Sequence, residues 1–406
     1  MNIEEIRSQF PQLKERVYGK SLVYLDNAAT SLRPVSVVEK WDEISLKYNS
    51  NLHRAVHHTA VVATEEYESA RESVRDFIGA ESSDEIVFTS GTTHSLNLLA
   101  ACLGNSLKEG DEIIISESEH HSNIVPWQLL SERKNLNIKV LPIDDNGNLR
   151  VDILPSLLTE KTRICCVAQI SNVLGIINPV GEIIRLCHAN GTLVVLDGAQ
   201  GIVHETTNVR DIDCDFYVFS AHKMYGASGV GVLYGKRNLL ENMPPFMGGG
   251  EMIESVSWTH TTYAPIPRRF EAGTQNISGV PAIKPAIEMV KMLRDKEIQD
   301  NYNALGAYVY TELSREEGVR LFGTPSDPSQ KIPLFSIAVE GAHHEDLALI
   351  LDKMGIATRS GRMCADPLMD RLGVSGMLRA SFAPYNTMEE AEYFITCLRK
   401  AIKMLR

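Results

Sequence analysis

"FSAHKMYG", residues 219–226, carries a lysine directly behind an apolar run. The residues before it, CDFYVFS from Cys214, have the apolar and aromatic composition of a buried strand. Burying a free ammonium is costly, so Lys223 must be paired, desolvated or covalently modified. Lysines in such places act as amine nucleophiles or bases. On local sequence alone, a lysine that reaches solvent through a loop is the commoner outcome.

Seven apolar runs of this kind alternate with helix-like segments through the middle of the chain. They are EIVFTS (85–90), EIIIS (112–116), IKVLPI (138–143), RICCVAQI (163–170), TLVVLDG (192–198), FYVFSA (216–221) and GVGVLYG (229–235). Continuous apolar runs are typical of parallel strands buried on both faces. With crossover helices such as GEIIRLCHAN (181–190) between them, they predict a doubly wound α/β fold around a mostly parallel sheet.

The pattern changes after about residue 280 to long amphipathic helices with few strands, among them IPLFSIAVE (332–340). This change predicts a second domain of α+β type. We predict a large α/β domain over residues 20–285 and a small α+β domain built from residues 1–19 and 286–406. The N-terminal helix, IEEIRSQFPQL, is expected to pack on the small domain.

Composition narrows the class of protein. The 406 residues are 44% hydrophobic and 23% charged, with a formal net charge of -12, as in an ordinary globular protein that repels nucleic acid and anionic membranes. No apolar run approaches the roughly 18 residues of a membrane span, and the N-terminus lacks the pattern of a signal peptide. The seven cysteines are irregularly spaced without a C-x-x-C pair, which predicts reduced thiols in a cytoplasmic protein and no metal site.

The residues that follow the strands carry the chemistry, because ligands of open α/β sheets bind beyond the carboxyl ends of the strands. Gly91-Thr92-Thr93 follows one strand and opens a helix, where free N–H groups favour a phosphate, although such a threonine is usually only a cap. Asp197 ends another strand and would suit a protonated pyridine nitrogen, or only cap a turn. His120 would stack on a flat ring, or only bond to a turn.

Taken together, these groups specify a cofactor. A phosphate cradle, a carboxylate for a ring nitrogen, a stacking imidazole and a lysine that bonds to an aldehyde are what pyridoxal 5'-phosphate requires. The sequence therefore predicts a pyridoxal-phosphate enzyme with Lys223 as the residue bonded to the cofactor.

Nine stretches then give the chain a resemblance to a known family. They are YLDNAATS (24–31), SNLHRAVHH (50–58), SGTTHSLNL (90–98), ESEHHSNIVPWQ (117–128), SNVLGIINP (171–179), VLDGAQG (195–201), DCDFYVFSAHKMYGASGVGVLYG (213–235), RRFEAGTQN (268–276) and MLRASFAPYNT (377–387). The chain resembles the SufS-like (group II) cysteine desulfurases, which are class-V pyridoxal-phosphate enzymes of fold type I. That fold has a mostly parallel seven-stranded sheet and a smaller α+β C-terminal domain.

The resemblance implies a role for each matching residue. It makes Lys223 the Schiff-base lysine, Asp197 the partner of the pyridine nitrogen, Gln200 the contact of the phenolic oxygen, and His120 the stacking and proton-relaying group. The cofactor's phosphate is assigned to Thr92, Thr93, Ser220 and His222. Thr274 resembles the residue that reaches the phosphate from the partner subunit, which implies a homodimer with shared active sites.

The substrate site is assigned in the same way, with Asn172 and Arg379 on the substrate carboxylate and with Arg359 and His53 beside them. A guanidinium suits this role because it meets a carboxylate in a two-point fork. Asn172 is also expected to contact the cofactor.

The segment ATRSGRMCADPL (357–368) selects the reaction. A desulfurase needs a thiolate that attacks the substrate sulfur, and Cys364 lies close in sequence to Arg359 and Arg362, whose charge favours the thiolate. The resemblance thus implies conversion of L-cysteine to L-alanine through a persulfide on Cys364. The sulfur would pass to a SufE- or SufU-like acceptor and to scaffold proteins of iron–sulfur cluster assembly.

The chain departs from the family pattern near this cysteine. Arg362 and Met363 stand where group II members commonly carry two histidines, and Ser90 and His94 flank the Gly-Thr-Thr motif in place of an arginine and a glutamate. Three alternatives stay open at this point: a selenocysteine lyase, another class-V enzyme such as an aminotransferase or epimerase, and a non-catalytic sulfur scaffold. The last would need clustered cysteines.

Overall fold

The computed structural model describes residues 3–406. The α-helices within that range are α1 Ile3–Ser8, α2 Val35–Lys47, α3 His58–Ile78, α4 Thr92–Gly104, α5 Val125–Lys134, α6 Leu154–Leu157, α7 Val180–Ala189, α8 Gly201–His204, α9 Arg237–Asn242, α10 Ile283–Leu293, α11 Lys296–Ser314, α12 His344–Lys353, α13 Asp366–Leu372 and α14 Met388–Leu405. Within this range no helix is both long and apolar enough to cross a bilayer.

The strands of the same range are β1 Arg16–Val17, β2 Lys20–Ser21, β3 Val23–Tyr24, β4 Ile86–Thr89, β5 Glu112–Ser116, β6 Asn137–Leu141, β7 Thr162–Ala168, β8 Leu193–Asp197, β9 Phe216–Ser220, β10 Gly231–Gly235, β11 Ile253–Val256, β12 Thr261–Tyr263, β13 Val319–Phe322, β14 Leu334–Val339, β15 Ile356–Ala357, β16 Arg359–Gly361 and β17 Met377–Ser381. All seven predicted central strands are present, and no strand end differs from the prediction by more than two residues.

The central sheet has seven strands in the order β4-β10-β9-β8-β7-β5-β6. Strand β10 runs antiparallel to both of its neighbours, and the remaining neighbours pair in parallel. The prediction of a mostly parallel seven-stranded sheet is therefore confirmed. Because the parallel strands point the same way, the residues that follow β7, β8 and β9 meet at one edge of the sheet.

Both faces of the sheet are covered, as the continuous apolar runs predict. Successive side chains of a strand point to opposite faces. Along β8, Val194 and Leu196 belong to the core cluster that also contains Ile78 of α3, whereas Val195 belongs to the cluster that contains Trp127 of α5. A strand with apolar residues on both faces must lie between two helical layers, and it does.

Local signals set the helix ends. Helix α3 ends at Gly79, whose φ of 69° is left-handed and suits a residue without a side chain. Helix α14 begins with a capping box, in which the Thr387 hydroxyl accepts the Glu390 N–H and the Glu390 carboxylate accepts the Thr387 N–H.

The C-terminal part contains an antiparallel four-stranded sheet in the order β13-β14-β17-β16. Its apolar face packs on α11, α12 and α14 in a separate core cluster that includes Leu305, Ile337, Leu351, Leu378 and Phe394. Strand β3, from the N-terminal part of the chain, pairs in parallel with β15 of this region. The domain division at residues 285–286 remains a prediction. The small domain is predicted to include residues 1–19, of which residues 1 and 2 lie outside the described range.

The N-terminal helix and the turn after it contact both parts of the molecule. Arg7 forms a salt bridge of 2.7 Å with Glu390 of α14. The Phe10 ring lies 4.7 Å from the Tyr385 ring and 5.8 Å from the Tyr225 ring, measured between centroids. Tyr225 lies just after β9 of the central sheet, and Tyr385 lies in the C-terminal part. The N-terminal segment therefore packs against both.

Candidate active site

A cavity of about 190 Å³ lies where the carboxyl ends of the parallel strands meet the C-terminal part. Of the fourteen predicted site residues, eleven line it: Thr92, Thr93, His120, Asn172, Asp197, Ser220, His222, Lys223, Arg359, Cys364 and Arg379. The cavity thus gathers residues from five strands of the central sheet or the turns after them, β4, β5, β7, β8 and β9, and from β16, β17 and the turn after β16.

Lys223 lies in a single 3-10 turn, Ala221–Lys223, that follows β9. The predicted strand 216–221 ends one residue earlier than expected, and the turn brings the lysine into the cavity. Burial lowers the pKa of the Lys223 amine; the carboxylate of Asp197 acts against this shift, and Arg379 adds to it. A lowered pKa raises the fraction of neutral amine, which is the form that acts as a nucleophile or base.

Asp197, the last residue of β8, is buried. Within residues 3–406 its carboxylate accepts one hydrogen bond, from the Ala199 N–H at 2.9 Å. Burial raises the pKa of Asp197, and the positive charge of Lys223 and this hydrogen bond act against the shift. A buried carboxylate with acceptor capacity to spare is the partner that a protonated ring nitrogen needs.

The other end of the cavity is formed by the start of helix α4. Gly91 precedes the helix and has no side chain to cap it, so the N–H groups of the first turn are left for partners from elsewhere. The Ser220 hydroxyl accepts the Thr92 N–H at 2.8 Å and lies 2.8 Å from the Thr92 hydroxyl. Burial, with help from the charge of Lys223, lowers the pKa of His222 to about 4, so this imidazole is neutral.

These two ends fit pyridoxal 5'-phosphate. Thr92, Thr93, Ser220 and His222 offer hydroxyl, imidazole and helix N–H groups to a phosphate, while Asp197 offers a carboxylate to a pyridinium nitrogen. Lys223 lines the same cavity and offers the amine that an aldehyde requires.

His120 also lines the cavity, and Ser122 fixes its ring. The Ser122 N–H donates to His120 Nδ1 at 3.1 Å, and the Ser122 hydroxyl lies 2.5 Å from the same nitrogen. Because Nδ1 accepts a backbone hydrogen bond, the ring proton is on Nε2. Burial, followed by the charge of Lys223, lowers the pKa of His120 to about 3, so the ring is a neutral platform.

Glu119 is a buried carboxyl behind the site that sequence reasoning missed. It accepts hydrogen bonds from the Ser116 hydroxyl, from Asn123 Nδ2 at 2.7 Å and from the Ala168 N–H at 2.7 Å. Burial raises its pKa to about 8, and the charge of Asp197 adds to this rise. The hydrogen bonds from Ser116, Asn123 and Ala168 act against this rise in pKa. An acidic residue just after a buried strand was the available signal.

Two arginines face each other across paired strands of the small sheet, Arg359 on β16 and Arg379 on β17. Arg379 is buried and donates to the Asn172 carbonyl at 2.8 Å and to Asp26 at 3.0 Å, and its Nε has no hydrogen-bond partner. Arg359 has no hydrogen bond or salt bridge within residues 3–406 and lines the cavity. Two guanidiniums with Asp26 as their single carboxylate partner suit an anionic substrate group.

Cys364 is exposed and lines the cavity, whereas the other six cysteines are buried. Met363 and Cys364 have φ values of 54° and 55°, in the left-handed region that non-glycine residues rarely adopt. Two hydrogen bonds hold this backbone: Asn172 Nδ2 donates to the Met363 carbonyl at 3.0 Å, and the His121 N–H donates to the Cys364 carbonyl at 2.7 Å. The turn presents the thiol to the cavity and to solvent.

Arg362 does not supply the positive charge that its position beside Cys364 led us to expect. Its guanidinium forms salt bridges of 2.5 Å with Asp366 and with Asp370, both on helix α13. Arg362 therefore holds the cysteine segment to α13, and of the two arginines near Cys364 in sequence only Arg359 lines the cavity.

Three predicted site residues do not line this cavity. Gln200 is buried and donates to the Ala28 carbonyl at 2.8 Å. His53 pairs with Glu68 at 2.8 Å. Thr274 is exposed.

The two replaced positions beside the Gly-Thr-Thr motif bond to each other, since the Ser90 N–H donates to His94 Nδ1 at 3.2 Å. They line a neighbouring cavity of about 410 Å³ that shares Thr92, Thr93, Ser220 and His222 with the first. Ser90 and His94 thus lie beyond the phosphate end and away from the cysteine.

A comparison with protein families matches residues 23–394 to the class-V aminotransferase family. Two relatives are similar over nearly the whole chain. A probable cysteine desulfurase of Vibrio cholerae is 43% identical over 406 residues, which cover all of both chains. A cysteine desulfurase of Pectobacterium carotovorum is 44% identical over 405 residues, 99% of this chain and 98% of the relative.

Solved structures show the same similarity. The cysteine desulfurase CsdA of Escherichia coli, in an S-sulfonic acid form, superposes with a TM-score of 0.91 and 38% identity, covering 100% of each chain. The apo structure of a cysteine desulfurase of Thermococcus onnurineus gives a TM-score of 0.94 at 38% identity, with coverage of 100% and 99%. These matches confirm the predicted α/β fold of pyridoxal-phosphate enzymes.

Proposed function

The chain belongs to the class-V aminotransferase family, and we propose that within it this protein is a pyridoxal-phosphate-dependent cysteine desulfurase, which converts L-cysteine to L-alanine and takes the sulfur as a persulfide on Cys364. The observation that carries the proposal is that the cavity of Lys223 and Asp197 also holds the exposed thiol of Cys364. An aminotransferase has no need of that thiol.

Substrate binding falls to the arginines. Arg359 and the free Nε of Arg379 bind the carboxylate of L-cysteine, while Asn172 orients Arg379 through its carbonyl. This pairing directs the substrate's Cα toward Lys223 and its sulfur toward Cys364, since both line the same cavity. His53, assigned to the substrate site from the family resemblance, would act only through the Glu68 pair.

Proton transfer falls to Lys223. Pyridoxal 5'-phosphate, when bound, acts as an electron sink that makes the substrate Cα proton acidic. The Lys223 amine, with its lowered pKa, takes that proton. Asp197 supplies the negative charge that keeps a ring nitrogen protonated, and the neutral His120 ring stacks on the cofactor and relays protons.

Sulfur transfer falls to Cys364. Its thiolate attacks the substrate sulfur, so a bond forms between Sγ and that sulfur while the Cβ–S bond breaks. The electron pair of the broken bond stays on Cβ, which takes up a proton. The net change is that L-cysteine and an enzyme thiol become L-alanine and an enzyme persulfide, so no external oxidant or reductant is needed.

The sulfur then passes to an acceptor of SufE or SufU type and on to iron–sulfur scaffold proteins, in the cytoplasm. The exposure of Cys364 supports transfer to another protein, because a partner must reach the sulfur. The chain works as a homodimer in which the exposed Thr274 reaches the phosphate of the other subunit's cofactor. We propose that the protein is of the SufS-like subtype. Its cysteine segment differs from the usual one at Arg362 and Met363, which replace two histidines.

The experiment that tests this function follows both products of one turnover. Purified holo-protein mixed with L-cysteine is expected to release L-alanine and to gain one sulfur atom in its intact mass. Peptide mapping should place that sulfur on Cys364, and a thiol reductant should release it as sulfide. Absence of alanine in the presence of an acceptor, or sulfur on another cysteine, would contradict the proposal.

Arg359→Gln is expected to raise the KM for L-cysteine by about 10- to 100-fold with a smaller change in kcat, because the substrate carboxylate loses a charge-assisted fork. Steady-state alanine formation checks this. Arg362→Gln is the matched control, since its guanidinium is held on α13 by Asp366 and Asp370, and its KM should stay within about threefold of wild type. Equal KM changes in both variants would show that Arg359 acts on the loop and not on substrate.

A further inference from the structure

A second cavity, of about 520 Å³, lies in the C-terminal part between helix α11 and the segment that leads into β14. It shares no lining residue with the active-site cavity. Nothing in the proposed desulfurase reaction uses it.

Lys331 is the one charged side chain among the residues that line this cavity. Its Nζ donates to the Leu174 carbonyl at 2.5 Å and lies 5.6 Å from the centre of the Phe335 ring. Within residues 3–406 no carboxylate pairs with it, and burial lowers the pKa of its amine from 10.5 to about 7. Lys331 is half-buried. An ammonium withdrawn from water without a counter-charge is costly, so an added anion would stabilise it.

The rest of the lining is neutral and largely apolar. Phe335, Tyr310, Ile332 and Pro333 present rings and aliphatic groups, and Thr311 adds a hydroxyl. Apolar walls around a single cation are the usual arrangement of a small-molecule site, where the charge fixes the orientation of the ligand and the walls supply affinity.

We propose that this Lys331 cavity binds a small organic acid, whose single carboxylate pairs with the Lys331 ammonium and whose apolar body packs against Phe335 and Tyr310. One cation among the lining residues matches one negative charge. A dianion such as a phosphate monoester would bury an uncompensated charge.

Binding of the acid should weaken as pH rises. The carboxylate binds the charged lysine, so affinity is full below the free amine's pKa of about 7 and is lost as pH rises through it. Above that point the affinity should fall about tenfold per pH unit. Tyr310 is the other titratable group that lines the cavity.

The test is calorimetric titration of the holo-protein with octanoate, benzoate and 3-phenylpropionate, each beside its neutral amide. At least one acid should bind saturably at pH 6.5, and its amide and the Lys331→Gln variant should show affinities at least ~10-fold weaker. Ala307→Phe, at an exposed lining position of α11, should block binding, whereas Ala304→Phe, exposed on α11 but outside the lining, should not.

Lack of binding by all three acids, or equal binding by Lys331→Gln, would overturn the proposal. The heat of binding does not require turnover, so this result is independent of the desulfurase activity.

Discussion

Lys223→Ala protein is expected to lose L-alanine formation from L-cysteine by about 10³-fold or more, because a single amine both bonds to the cofactor aldehyde and moves the Cα proton. Burial and the nearby arginines lower the pKa of this amine, and no other lysine lines the cavity. Alanine is quantified by chromatography. Borohydride treatment followed by intact mass measurement should find covalently fixed cofactor on the wild type and none at position 223 of the variant.

Two control variants distinguish the chemistry of the Lys223 amine from the effect of its positive charge. Lys223→Arg keeps a cation near Asp197 but offers no primary amine, and it should be as inactive as the alanine variant. Lys296→Ala removes a lysine whose side chain is 88% exposed on α11, and it should keep full activity. Substantial activity in Lys223→Arg would show that position 223 supplies charge alone, and the proposed mechanism would fail.

Cys364→Ala protein is expected to lose at least ~10²-fold in desulfurase activity while it retains covalently bound cofactor, because the thiol acts after the Cα proton has left. The readouts are alanine formation and the mass of the protein after exposure to L-cysteine. The variant should gain no sulfur. Retained cofactor shows that the site is folded, so the loss can be assigned to the thiol.

Cys397→Ala is the matched thiol control, since Cys397 is buried in the core of the small sheet. It should keep its activity, with at most a modest loss of stability. Selenocysteine distinguishes the main alternative: a lyase confined to that substrate would still release alanine from it after Cys364→Ala. Normal L-cysteine turnover by Cys364→Ala would contradict the desulfurase mechanism.

The sequence predicts the central sheet and most of the site for a physical reason. Parallel strands carry their C-terminal residues to the same edge, so Asp197 and Lys223 must lie near each other even though they are separated along the chain. Local patterns also suffice for the Gly91-Thr92-Thr93 helix start. Strand ends are the weaker part, as at β9, where Ala221 leaves the strand for the turn.

Residues that lie behind the site and contact its side chains could not be predicted from strand ends and local motifs. Asp26 binds Arg379 across 353 positions of the chain, and no local pattern signals such a contact. Ser122 bonds to His120 Nδ1, and Glu119 bonds to Ser116, Asn123 and Ala168 behind the site. The prediction that Arg362 places its charge beside Cys364 is wrong, because nearness in sequence does not fix the direction of a side chain. The Arg362 guanidinium turns to Asp366 instead.

The residues that line the active-site cavity come from two sheets. Asp197, Lys223 and the phosphate cradle belong to the central sheet, whereas Arg359, Arg379 and Cys364 belong to the small sheet or the segment after it. A small rotation between the sheets would thus alter the gap that sulfur must cross without disturbing the cofactor. Turnover would then depend on packing at the joint near Phe10, a residue that does not line the cavity.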